Sequence, residues 1–366
     1  MTDLIQCQDE LARFCQSALR APWLGLDTEF ERVRTYYPRL CLLQLSTLER
    51  TVCVDPLQGL DLDPLAQLIT NSPITILHAA RQDLEVLQYA LQMSPQRVFD
   101  TQIAAALLGH GEQVGYANLA KALCGVDLAK QQTRSDWTRR PLSDAQISYA
   151  LDDARYLGSF YEHFFKELDS RQRLGWVIED CAALVQRDLL REAADRAVMR
   201  THTRSRRLTH EQQSVVLALA RWRERTAQES NLPRGWVLTD SAVLDIAREM
   251  PGNANALGSI EGVSSKLRAR WGEVLMGVID DGRRNKNKIK PLFVEVRPAR
   301  ETKQLADGLW AQLKSRCAYE GIATSAVARR EQMIALASGQ DSVALLSGWR
   351  GRFIGCEFKR FCDDVL

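Results

Sequence analysis

No Cys-x-x-Cys pair occurs among the nine cysteines, which are scattered at positions 7, 15, 41, 53, 124, 181, 317, 356 and 362. An odd count without paired spacing suggests neither a disulfide framework nor a zinc site, so reduced and mostly buried thiols are expected. No apolar run approaches the length needed to span a bilayer, and the opening MTDLIQCQDE carries acids where a signal peptide would be basic. A cytoplasmic location with no membrane partner is expected. Low-complexity segments and tandem repeats of roughly 20 to 50 residues are also missing, although two helical stretches in the second half have the look of a diverged pair. Nothing signals an obligate oligomer, and a monomer is expected.

What is present exceeds one ordinary domain: 366 residues predict two or three, each able to bury its own core. The net charge of +2 hides an asymmetry. Residues 1–200 hold 21 Lys and Arg against 27 Asp and Glu, a balance of −6; residues 201–366 hold 27 against 19, a balance of +8. An acidic first part beside a basic second part suits a metal-dependent site next to a polyanion-binding surface, and equally suits ordinary solvated faces.

The chain is organised around Trp23–Phe30, WLGLDTEF, a short apolar strand that ends in two carboxylates. Strand side chains alternate between faces, so Asp27 and Glu29 project on one side and Leu24, Leu26 and Thr28 on the other. Two acids in one small volume raise each other's pKa, and such a pair awaits a shared proton or a cation unless it is simply a solvated strand end. Strands are predicted at 39–47, 51–56, 74–78 and 97–100, the second and third joined too tightly for anything but an antiparallel hairpin. Helices are predicted at 63–70, after His78, from Thr101 and at 116–124, with an exposed turn from Lys130 to Pro141. The pattern implies an α/β fold, a mixed sheet with helices on both faces, of which the ribonuclease H-like layout is one example. Ser143 and Gln146 form a capping-box signal for a long helix whose buried side is marked by Ile147, Leu151, Ala154, Leu157, Tyr161 and Phe165. Tyr149 and Asp153 stand one above the other on it, as a hydrogen-bonded pair or as something more. From about 170 to 205 the chain is helical and charged, ending in THTRSRR, an exposed linker or basic patch. Residues 208–282 and 298–366 are predicted all-helical, separated by the basic, proline-ended linker Arg283–Pro291.

Four acids thus fall where strands end or helices start: Asp27, Glu29, Asp83 and Asp153, with Tyr149 beside the last. No His or Cys cluster accompanies them, so a hard, oxygen-loving ion such as Mg²⁺ or Mn²⁺ is the natural occupant. Two such ions about 3.5 to 4 Å apart can clamp a scissile phosphate.

The motifs Asp27-Thr28-Glu29-Phe30, His78-Ala-Ala-Arg-Gln-Asp83 and Tyr149-Ala-Leu-Asp-Asp153 resemble the three exonuclease motifs of the tyrosine-bearing DEDD superfamily, and most closely the bacterial ribonuclease D family. Val98-Phe-Asp-Thr-Gln102 and Ser135-Asp-Trp-Thr-Arg-Arg-Pro-Leu142 are similar to the same family. The resemblance covers residues 1–200 as the exonuclease domain. Residues 208–282, with LPRGWVLTDSAVLDIAREMP at 232–251, resemble the helical HRDC module, and residues 296–366, with Leu346-Ser-Gly-Trp-Arg350, look like a degenerate second copy. Such modules imply loose nucleic-acid binding through basic faces.

The resemblance implies a ribonuclease H-like exonuclease domain followed by two all-α HRDC-type domains. It implies a 3′–5′ exoribonuclease that trims tRNA precursors and other structured RNAs with free 3′ ends, releasing 5′-monophosphates. Asp27 would bridge two divalent ions, Glu29 and Asp153 would complete the shell of the first, and Asp83 would hold the second through water. Tyr149 would orient the attacking water, Phe30 would stack on the terminal base, and Arg140 would reach a phosphate. Trp137 is expected as a packing residue, His78 as a satisfied structural histidine, and Asp152 as solvated. Two rivals stand beside this reading: a 3′–5′ DNA exonuclease of proofreading or repair type, and a catalytically dead nucleic-acid-binding protein.

Overall fold

The structure, a computed structural model, describes residues 3–128, 135–290, 292, 298–340 and 344–365. One mixed sheet contains β1 (Leu4–Ile5), β2 (Leu24–Glu31), β3 (Arg39–Ser46), β4 (Thr51–Val54), β5 (Thr75–Leu77) and β6 (Val98–Asp100), in the order β1-β4-β3-β2-β5-β6. β3 and β4 pair antiparallel, and the Thr47 amide closes their turn by donating to the Arg50 carbonyl. β5 runs parallel to β2, and β6 to β5. The five expected strands are all present. The sixth, β1, pairs parallel with β4 and is only two residues long, too short to leave a period in the sequence.

Among the described residues, eight helices belong to the sheet-bearing part of the chain: α1 (Gln8–Ala18), α2 (Asp63–Asn71), α3 (Arg81–Ala90), α4 (Thr101–Leu107), α5 (Tyr116–Cys124), α6 (Asp144–Arg155), α7 (Leu157–Ser170) and α8 (Leu174–Val185). The capping box that starts α6 forms as expected, with Ser143 and Gln146 bonding each other's backbone. The long helix expected from Ser143 does not run through, however, because it breaks at Tyr156. Beyond the break the buried face shifts by one residue. Phe160, Phe164 and Leu168 fill the core in place of Tyr161 and Phe165, and Phe165 is 39% exposed. The cause is not local. The Tyr116 hydroxyl donates to the Asp152 carbonyl (2.8 Å) and accepts from the Tyr156 amide (3.0 Å), entering the backbone bond that would have joined those two residues.

The remaining helices are α9 (Leu189–Thr203), α10 (His210–Ser230), α11 (Arg234–Val237), α12 (Asp240–Glu249), α13 (Ala254–Gly258), α14 (Ser265–Arg284), α15 (Arg300–Glu320), α16 (Thr324–Val327), α17 (Arg330–Ala337), α18 (Gly348–Arg350) and α19 (Cys356–Val365). Thr209 caps α10 in a capping box, while Thr239 and Ser264 cap α12 and α14. By contacts the chain forms two compact units, one of Met1–Glu31, Leu40–Arg187 and Arg297–Leu366, the other of Arg32–Arg39 and Asp188–Val296. These do not coincide with the divisions 1–200, 208–282 and 296–366. The helix α9 lies within the second unit, and the C-terminal helices lie within the first.

In the second unit, Val215, Val216, Leu219, Val243, Ile246, Leu275 and Ile279 form the core. Of the two readings of THTRSRR, an exposed linker or a basic patch, the exposed linker does not hold. Thr201, His202 and Ser205 are buried, and Asp240 gathers Arg204 (2.9 Å) and the buried Arg223 (2.7 Å). Tyr36 packs on Ala227 and Val237, its hydroxyl donating to Glu224. Asn231, in the left-handed region at φ 47°, accepts from the Tyr36 and Tyr37 amides (both 3.1 Å).

In the first unit, the C-terminal helices are fastened by Trp349, which stacks on Trp176 (4.5 Å, 6°), and by Arg350, which pairs through both terminal nitrogens with Asp180 (2.6 and 2.9 Å). The helices α15 and α16 repeat the lengths of α10 and α11, 21 and 4 residues. Each long helix also ends in a left-handed residue, Asn231 or Gly321. Of the expected turn Lys130–Pro141, residues 130–134 lie outside the described residues, as do Pro291 of the expected linker and residue 296. No helix among the described residues is long and apolar enough to cross a membrane.

Candidate active site

β2 lies inside the sheet, between β3 and β5, and brings Asp27 and Glu29 to one face by strand alternation. That face is closed by α6 and α7. A Cβ on Gly25 would fall 2.2 Å from Ser46 Oγ, so only glycine allows this approach, and Ser46 Oγ donates to the Ala154 carbonyl of α6 (2.8 Å). The helix is thereby pinned with Asp153 opposite the strand acids. Asp27, Glu29 and Asp153 offer carboxylate oxygens that all lie within 4.8 Å of one another. Tyr149, one turn earlier, hydrogen-bonds the Asp153 carboxylate and packs on the buried cluster around Trp137 and Leu151.

Asp83 arrives on the first turn of α3. Its approach depends on Asp100 at the end of β6, whose carboxylate accepts from the Ala79 (3.0 Å) and Ala80 (2.9 Å) amides and also caps α4. Ala79 is held at φ 58°, a left-handed conformation that disfavours a residue bearing Cβ, and these bonds secure it. The buried Asp83 carboxylate accepts from the Thr28 hydroxyl at 2.6 Å. Thr28 thus serves the site from the opposite side of β2. Sequence reasoning placed it there with the apolar residues and gave it no role; a hydroxyl among them was the signal.

Gathered in low dielectric, these acids resist ionisation. Burial, then the charges of Asp83, Asp153 and Glu29, hold Asp27 well above the usual carboxylate range. Burial and then Asp153 and Asp83 push Glu29 up to about 8. Asp83 rises to about 7 through burial, against the Thr28 hydrogen bond. Asp153 rises to about 6 through burial, against the Tyr149 hydrogen bond. A divalent cation removes the conflict, and a cluster of carboxylate oxygens alone fits a hard ion of the Mg²⁺ or Mn²⁺ kind.

The other expectations divide. His78 is satisfied as expected, with Nδ1 on Thr101 Oγ1 (2.9 Å) and Nε2 on the Val114 carbonyl (3.0 Å). Trp137 is buried packing. Asp152 is half-buried and pairs with Arg155 (2.8 Å). Phe30 is partly buried, next along β2. Arg140 does not fit the phosphate role. Its Nε and Nη2 grip the buried Asp55 carboxylate (2.7 Å each), Nη2 also donates to the Cys41 carbonyl, and Nη1 donates to the Trp137 and Arg139 carbonyls. All five N–H donors are used, so this arginine anchors its loop to the sheet.

The chain matches a family model described as 3′-5′ exonuclease over residues 2–169 and an HRDC domain model over residues 212–279. It is 35% identical to the ribonuclease D of Jannaschia sp., covering 100% of this chain and 96% of that one. To the ribonuclease D of Gluconacetobacter diazotrophicus it is 36% identical, covering 97% and 91%. Its fold superposes on the crystal structure of Escherichia coli RNase D, described as an exoribonuclease involved in structured RNA processing, with a TM-score of 0.84 at 27% identity, covering 99% of this chain and 98% of that one. A 3′–5′ exonuclease domain in which Asp27, Glu29 and Asp153 meet, carried on a chain similar over its whole length to these enzymes, makes this protein a member of the ribonuclease D family of 3′–5′ exoribonucleases.

Proposed function

We propose that Asp27, Glu29, Asp83 and Asp153 hold two divalent metal ions, Mg²⁺ or Mn²⁺, and that the chain removes nucleotides one at a time from the free 3′ ends of tRNA precursors and other structured RNAs, releasing 5′-monophosphates. The observation that carries this reading is the meeting of Asp27, Glu29 and Asp153 within 4.8 Å. When bound, such ions supply Lewis-acid activation of water and compensation of phosphate charge. The protein's own share is orientation. Asp27 would serve both ions, Glu29 and Asp153 would complete the shell of one, and Asp83, steadied by Thr28, would hold the other. Tyr149 would hold the attacking water in line through a hydrogen bond to its hydroxyl oxygen. Phe30 stacks on the terminal base, a contact that any base can make.

Residues 1–200 act as the exonuclease domain, 208–282 as an HRDC domain and 296–366 as a diverged HRDC copy, a reading supported by the matched lengths of α10–α11 and α15–α16. The enzyme works as a cytoplasmic monomer. Incubation with a 3′-extended tRNA, with and without EDTA, tests the whole reading: stepwise shortening that stops in EDTA is expected, and shortening unaffected by EDTA sinks the metal assignment. An Asp27→Ala variant as fast as wild type would mean that the site lies elsewhere, and faster degradation of a matched DNA strand would favour the DNA exonuclease.

A further inference from the structure

Gln44, in the middle of β3, is fully buried, and neither its Oε1 nor its Nε2 has a hydrogen-bond partner. Leucines fill the neighbouring positions 42, 43 and 45, and a leucine here would complete the core without an unsatisfied amide. An orphaned carboxamide at such a place points to a partner outside the folded core itself.

Its position identifies that partner. β3 lies between β2 and β4. Residues 32–38 are too few for a parallel crossover, so β2 and β3 run antiparallel. Gly25 and Ser46 stand beside each other on one face, as the 2.2 Å approach of a Gly25 Cβ to Ser46 Oγ requires. Strand alternation then sets Asp27 beside Gln44 as the next pair along that face. On its other side Gln44 is the register partner of Cys53 on β4. Burial first, and then the charges of Asp3, Asp27 and Glu29, push the Cys53 thiol up, so the site acids are felt one strand beyond Gln44.

We propose that Gln44 is a positioning residue for the cation site: its Nε2, without a partner in the fold as it stands, would donate to the Asp27 carboxylate when a cation is bound and so fix the direction in which the remaining Asp27 lone pairs face the ion. This rests on the metal reading given above. Carboxylates that ligate metal are themselves hydrogen-bonded, and losing such a supporting partner weakens metal binding. A neutral donor is the right kind of partner, because a lysine or arginine would cancel the charge the cation needs.

The test is calorimetric titration of Mn²⁺ into EDTA-stripped, dialysed full-length protein, with thermal unfolding of each variant in EDTA. Gln44→Met is expected to bind Mn²⁺ about 10- to 100-fold more weakly than wild type while unfolding in EDTA at the same or a higher temperature. Wild-type affinity in the variant overturns the proposal. So does a loss of affinity matched by a fall in melting temperature, which would make the carboxamide a support of the fold. Gln44→Leu is read in the same way should Gln44→Met not fold, and the failure of both to fold also overturns it. If wild type takes up no Mn²⁺, the cation reading falls first and takes this one with it; if wild type binds and the variant binds equally, only Gln44 is reassigned.

Discussion

The hydroxyl of Tyr116 occupies the hydrogen bond between the Asp152 carbonyl and the Tyr156 amide, one residue from the Asp153 carboxylate. Removing it in Tyr116→Phe strips the Asp152 carbonyl and the Tyr156 amide of this partner, and straightening the helix to rejoin them would pull Phe160 and Phe164 out of the core. The expected loss is about 1 to 3 kcal/mol of unfolding free energy, read by urea denaturation. Nucleotide release should slow as well, and a variant with wild-type stability would show that the helix closes without cost.

Arg140→Met should cost about 3 to 5 kcal/mol, because it strands the buried Asp55 carboxylate. With every donor already engaged, Arg140 has none for substrate, so KM for a single-stranded RNA should stay at the wild-type value under conditions where the variant is folded. A KM that rises many-fold in the folded variant would restore the phosphate contact.

Metal-free protein should lose stability as pH rises from about 4.5 to 8. Glu29, Asp83 and Asp153 titrate near 8, 7 and 6 in the folded chain and near the ordinary carboxylate values of about 4 when unfolded. Over that interval the native state binds more protons than the unfolded state, so the slope of stability against pH is negative. The advantage is complete below about pH 4 and gone above the folded values. Melting temperatures in EDTA at pH 5, 6.5 and 8, buffered at constant ionic strength, check this, and saturating Mg²⁺ should flatten or reverse the trend. A site contribution that rises with pH in EDTA, isolated by comparison with Asp27→Asn, would contradict it.

Thr28→Val removes the hydroxyl that donates to buried Asp83 and should raise that carboxyl's pKa above about 7. Activity should then fall more at pH 6.5 than at pH 8.5. An equal fall at both would confine Thr28 to a packing role.

The pairing of Asp27 with Glu29 was legible because strand alternation is strictly local, and so was the capping box of Ser143 and Gln146, set by residues within one turn. The break at Tyr156 was not, because its cause sits forty residues upstream on another helix, and an apolar stripe read through 147, 151, 154 and 157 continues smoothly onto the wrong residues. The same holds for Arg140, whose partner Asp55 lies on the far side of the sequence, and for THTRSRR, whose charges gave no hint of the burial around Asp240. Thr28 was visible but lay in the apolar row, and only the fold shows what its hydroxyl meets.

The Arg32–Arg39 excursion, clasped through Tyr36 and Asn231, has a consequence for how such a protein can be dissected or rearranged by evolution. Because the polypeptide threads from one body to the other after Glu31, back at Leu40, out again at Asp188 and home for its last helices, neither body is a contiguous cassette. A shortened protein ending near 187 would abandon Tyr36 to solvent and leave Trp176 and Asp180 facing nothing, so shuffling, splitting or swapping these parts requires cuts at several places at once.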